Sequence, residues 1–237
     1  MNLLTCRLQR LRARVLQYGG LWAISQFPMI TKRLRLLFAV LTLFAVVTPV
    51  AAGSPIQMVV LGDSLSAGYL LPQEAAFPAV LERALRAQGL SVDVANAGVS
   101  GDTSRGGLER LDWAVPDGTQ AVLLELGAND MLRGIDPART REALDTIISR
   151  LKARGVRVLL AGMLATPSLG KDYGDRFNAI YPELAKTHDI PLYPFFLAGV
   201  TGDRTLHLDD GMHPNRKGVE TIVQAILPTV KSFLSGL

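Results

Sequence analysis

Four short segments carry side chains that could do chemistry together. They are Gly62-Asp63-Ser64, Ser100-Gly101-Asp102-Thr103-Ser104, Gly127-Ala128-Asn129-Asp130 and Asp209-Asp210-Gly211-Met212-His213. Between them they offer a hydroxyl, a glycine-rich loop of backbone amides, a side-chain amide, and a carboxylate just before an imidazole. Acyl transfer needs that set: a nucleophile, donors for the oxyanion, a base, and a group that orients the base. A serine hydroxyl is a weak nucleophile by itself and attacks a carbonyl only when a base takes its proton. Asp209 and Asp210 both stand within a turn of His213, and residue type alone leaves both open as the orienter.

These segments are useful only if the chain brings them to one place. Ile56 to Leu61 is an apolar, Val-rich run of the kind buried on both faces of a parallel sheet. From residue 53 onward the pattern alternates strand and helix, which predicts an α/β fold with helices on both faces of a parallel sheet. Further strands are expected at Val92 to Asn96, Ala121 to Leu126, Val156 to Ala161 and Ile190 to Tyr193. Helices are expected from Phe77 to Gln88, Thr103 to Leu111, Asp136 (as N-cap, with Pro137 at N1) to about Arg154, Tyr173 to Thr187, and Pro214 to Leu234. The last is expected to bend or break near Pro228, since proline removes an N–H and crowds the preceding turn. In open α/β sheets ligands sit at the carboxyl ends of the strands. Two of the four segments directly follow predicted strands, a third follows one with three residues between, and the fourth precedes the last helix.

The N-terminal part has a different character. Residues 1–52 hold seven of the 25 Lys and Arg residues and none of the 21 Asp and Glu residues. The remainder therefore carries 18 basic against 21 acidic side chains and gives a nucleic-acid partner no electrostatic footing. Lys32-Arg33-Leu34-Arg35 precedes an apolar stretch from Leu36 to Val47, then Thr48-Pro49 and the small residues Val50-Ala51-Ala52. This is the layout of a secretory signal peptide, with cleavage expected after Ala52 and a mature domain at 53–237. Met29 stands where a signal peptide of ordinary length would begin. A periplasmic or secreted location follows, and transient contact with a lipid surface is compatible with it. Cys6 is the chain's single cysteine, so the mature part has no thiol chemistry, disulfide or cysteine metal site.

Several residues have plainer readings. Ser100 lacks a neighbouring base. His207 and His213, with Asp209 and Asp210 between them, lack the third ligand and supporting shell that a zinc site wants. His188 ends a helix, where a cation is favourable. Asp63 and Asp102 read as loop and helix-cap groups, and Glu125 as a hydrogen-bonded carboxylate inside an apolar strand.

The four segments, in order and at these spacings, resemble the sequence blocks of the SGNH hydrolases, also called the GDSL esterase/lipase family. The likeness is nearest to the bacterial thioesterase/lysophospholipase/arylesterase subgroup and spans nearly all of residues 56–237. A second glycine is common in that subgroup where this chain has Ala128. The resemblance implies a flavodoxin-like three-layer α/β/α sandwich with a five-stranded parallel sheet, no metal and no cofactor. It implies Ser64 as nucleophile and oxyanion donor, Gly101 and Asn129 as further oxyanion donors, His213 as base and Asp210 as its orienter. The substrate it implies is a small-molecule acyl ester or thioester, its acyl chain lying over Met131, Leu132, Ile135 and Leu164. A carbohydrate acetylesterase of the same superfamily would want a small polar pocket, which the Met131-Leu132 pair opposes. A periplasmic binding module without turnover would have no use for the base.

Overall fold

The computed structural model describes residues 54–237. The expected signal segment, 1–52, and its cleavage site lie outside the described residues.

Five strands form one parallel sheet: β1 Ile56–Gly62, β2 Val92–Gly98, β3 Ala121–Glu125, β4 Arg157–Ala161 and β5 Leu192–Tyr193, in the order β2-β1-β3-β4-β5. Met58 to Leu61 of β1 and all of β3 are buried. Each such Val or Leu side chain contributes about 1.5–3 kcal/mol on leaving water, so a register slip in these strands would be costly. The order reverses direction between β1 and β3, and the crevice for a ligand in an open α/β sheet opens at such a point. Ser64 follows one of these two strands and Asn129 follows the other.

The helices are α1 Ser64–Ala67, α2 Phe77–Ala87, α3 Ser104–Glu109, α4 Leu111–Ala114, α5 Ala128–Leu132, α6 Pro137–Ala153, α7 Lys171–His188 and α8 Arg216–Leu234. Right-handed crossovers put α2 on one face of the sheet and α3, α6 and α7 on the other. Accordingly α8 packs on α2, and α6 packs on both α3 and α7. Asp136 caps α6 by accepting from the Ala138 N–H, with Pro137 at the first position, as the sequence predicts.

Several boundaries differ from expectation. Strand β2 runs on to Gly98, because its backbone still pairs with β1 in register with Gly62. The helix expected from Thr103 to Leu111 is two short helices broken at Arg110. That side chain turns inward and donates to the carbonyls of Gly62 (2.8 Å) and Ala97 (2.7 Å) and to Asp102 (2.5 Å). It thereby ties the ends of β1 and β2 together under the site. Helix α8 is not interrupted at Pro228. Pro228 and Gln224, whose carbonyl loses its partner, both face solvent, while Ile226 and Val230 remain in the core. Helix α7 likewise runs through the exposed Pro182.

Candidate active site

Strand β1 ends at Gly62, and the chain turns at once into α1. Asp63 caps that helix, its Oδ1 accepting from the Leu65 N–H at 3.0 Å. Ser64 is therefore the first helical residue, nine-tenths buried, and Gly68 closes the helix after a single turn in the left-handed conformation. The other Asp63 oxygen accepts from the Asn129 side-chain amide at 3.0 Å. Burial pushes the Asp63 carboxyl up to about 6, opposed by its bonds from Leu65 and Asn129.

The imidazole arrives from the far end of the chain. The segment before α8 folds back on itself: Leu208 N–H donates to the His213 carbonyl at 2.8 Å, and Asn215 N–H to the Leu206 carbonyl at 2.9 Å. Asn215 caps α8 through its side-chain oxygen and donates from its amide to the carbonyls of Thr205 and His207. Held this way, His213 Nε2 lies 2.9 Å from Ser64 Oγ, and its Nδ1 lies 2.6 Å from Asp210 Oδ2. Asp210 Oδ1 also accepts from the backbone N–H groups of Met212 (2.8 Å) and His213 (3.0 Å). The His213 N–H, then its imidazole and the Met212 N–H, lower the Asp210 carboxyl to about 2. It is thus ionised at any pH where a histidine can act as a base. Asp209 is exposed, with no side-chain hydrogen bond among the described residues. The Tyr69 ring covers one side of the imidazole at 4.4 Å between centroids.

Around the hydroxyl lie three unspent donors. The Ser64 and Gly101 N–H groups make no hydrogen bond among the described residues, and Asn129 keeps one N–H beyond the bond to Asp63. Gly101 sits at φ +84°, where a side chain would be strained, and Arg133 holds its carbonyl at 2.6 Å. Asn129 rides on α5, whose orientation is fixed by Asp130. That buried carboxylate accepts from Ser104 N–H (2.7 Å), Ser104 Oγ (2.6 Å) and Thr140 Oγ1 (3.1 Å).

A cleft of about 680 Å³ opens in front of these groups. Met131, Leu132 and Leu164 line it, as expected from the sequence, and Ile135 does not. After Gly134 the chain folds back, so Ile135 N–H donates to the Asp130 carbonyl and its own carbonyl accepts from Tyr173. Sequence reasoning missed Tyr69, Met163, Phe195, Leu197, Thr201 and Met212 in the lining. Met163 and Phe195 could have been found, since each follows a strand end as Ser64 does. Ser100 also lines the cleft, with no base hydrogen-bonded to it. His207 bonds the Asp203 carbonyl, and His188 pairs with Asp145. No cluster of three metal-ligating side chains occurs among the described residues. Asp102 is not the cap of α3, which is Thr103; it is the ion-pair partner of Arg110.

Residues 60–220 match the model of the GDSL-like lipase/acylhydrolase family. The chain belongs to that family. Like its members, it is an ester-cleaving serine hydrolase. An arylesterase of Vibrio mimicus is 41% identical over 72% of this chain and 86% of its own length. Thioesterase 1/protease 1/lysophospholipase L1 of Escherichia coli (strain K12) is also 41% identical, over 73% of this chain and 83% of its own. A crystal structure of TesA superposes with a TM-score of 0.71 at 36% identity, covering 75% of this chain and 99% of TesA.

Because Asp210 and not Asp209 meets the imidazole of this hydrolase, Asp210→Asn should lower kcat by at least about 10². Asp209→Asn should change it by less than about fivefold. Steady-state kinetics on one activated ester checks both, and equal losses would mean that the orienting carboxylate is misassigned.

Proposed function

We propose that the enzyme cleaves fatty acyl esters and thioesters through an acyl-enzyme on Ser64. His213 takes the Ser64 proton as Oγ attacks the acyl carbon, and Asp210 holds the imidazole in the right tautomer and stabilises the imidazolium. The negative charge that develops on the carbonyl oxygen is met by the N–H groups of Ser64 and Gly101 and by Asn129 Nδ2. His213 then protonates the departing alkoxide or thiolate. Water, activated by the same base, releases the acid and restores the serine.

One observation carries this reading: the hydroxyl bonded to His213 at 2.9 Å opens onto an apolar cleft that includes Met131, Leu132, Met163 and Leu164. Such a lining favours an alkyl chain over a polar acetylated sugar. The names of the relatives, an arylesterase and a thioesterase/lysophospholipase, support variety in the leaving group.

With aryl esters of graded chain length, kcat/KM should rise by up to about fourfold per added methylene until the cleft is full, the value of about 0.8 kcal/mol per buried CH₂. Asn129→Ala should lower kcat by about 10²–10³ on all of them, the loss expected for one preorganised donor. A preference for acetyl over every longer chain would favour the carbohydrate acetylesterase instead.

We also propose export with removal of residues 1–52, on the strength of the basic segment, the short apolar core and the small residues that end it. Mass spectrometry of the periplasmic protein should find Gly53 at the N-terminus. An intact N-terminal segment there would contradict it.

A further inference from the structure

Glu125 is the last residue of β3 and stands in register with Gly62 on β1. It is completely buried, directly beneath the turn that carries Ser64. Its Oε2 accepts from Ser66 Oγ at 2.6 Å and from the Asp63 N–H at 3.3 Å. Its Oε1 is buried and has no hydrogen-bond partner among the described residues. Gly62 is what lets the carboxyl in, because a Cβ there would stand 2.5 Å from Oε2 and 2.2 Å from Ser66 Oγ.

We propose that Glu125 is a positioning residue, held as a neutral carboxylic acid, that fixes the turn presenting the Ser64 nucleophile. The orphaned oxygen favours the neutral form. An ionised carboxylate spreads its charge over both oxygens, and burying one without a protein donor costs far more than burying a neutral one. The ionisable groups facing Glu125 reinforce this. Asp63, in the turn from β1 to α1, is a second acid, and Tyr181, reaching in from α7, is a phenol bonded to the Leu126 carbonyl. Neither supplies a positive charge. Two carboxylates so close do not both ionise easily. Asp63 is the one with donors on both oxygens, from Leu65 and Asn129, so it keeps the charge and Glu125 keeps the proton.

The positioning role follows from what Oε2 holds. Asp63 and Ser66 lie on either side of Ser64, and Glu125 accepts from both. Asp63 in turn caps α1 and steadies Asn129. Glu125 touches none of the reacting atoms, yet a shift in its side chain moves the nucleophile and an oxyanion donor together.

This inference rests on Ser64 being the nucleophile, so its test has an arm that does not require turnover. In infrared difference spectra at pH 8, the wild-type enzyme should show a protonated-carboxyl C=O band that Glu125→Gln lacks. Glu125→Gln, neutral and of the same shape, should keep kcat within about threefold, because one amide oxygen can accept from both Ser66 and Asp63. Glu125→Ala should lose about 10² in kcat with KM nearly unchanged, since small displacements of a reacting group are that costly. Absence of the band would overturn the neutral acid. A loss in Glu125→Gln as large as in Glu125→Ala would overturn the positioning role. Should Glu125→Ala fail to fold, the spectrum and the kcat of Glu125→Gln decide the matter.

Discussion

The 2.9 Å contact between Ser64 Oγ and His213 Nε2 joins residues 149 positions apart, and the structure around it serves to bring them together. One side is anchored by the buried strand β1, which delivers Ser64 to the sheet edge, with Arg110 holding the carbonyl of Gly62 from below. The other side is a folded-back loop held by the N–H bonds of Leu208 and Asn215, and it presents His213 to the serine. Neither partner depends on a flexible side chain reaching across space. Ser64 is set by the end of a buried strand and His213 by a hydrogen-bonded loop, so the hydroxyl and ring need few rotations to meet. That is preorganisation in its usual structural form.

The arrangement has a cost, which shows at Asp63. A carboxyl moved up to about 6 from its ordinary 3.8 binds more protons in the folded than in the unfolded chain between those values. Its contribution to stability is therefore fully present below 3.8 and is lost as pH rises through about 6. Above about 6 Asp63 is charged, on the side where this group destabilises the fold. What the charge provides is a fixed acceptor for Leu65 and Asn129, which keeps helix α1 capped and the third donor aimed. Asp210 has the opposite balance: its lowered value means that its charge supports the folded loop and is lost only in strong acid.

Much of this was legible in the sequence, for a definite reason. Parallel strands buried on both faces write themselves as apolar runs, and the residue after each run lies at the edge where ligands bind. That rule alone finds Ser64, the loop with Gly101, and Asn129. Family resemblance and the three-residue spacing across Gly211 both favour Asp210 over Asp209, and the structure adds that the turn folds Oδ1 onto the N–H groups of Met212 and His213. Tyr69 carried no signal, because its place against the imidazole depends on how α1 ends at Gly68. Ile135 misleads because an apolar residue near the right segment need not share its direction, and here the chain turns between the two. Arg110 and Asp130, the charged side chains that tie the loops from within, have no role assigned by the sequence. Only the tertiary fold makes them internal.

The central claim is that one serine, activated by His213, forms the covalent bond with the acyl group. Intact-mass and peptide mass spectrometry after treatment with an activated organophosphonate ester tests it most directly. The account predicts a single adduct per chain on the peptide carrying Ser64, absent from Ser64→Ala. Labelling at Ser100, or undiminished labelling in Ser64→Ala, would contradict it.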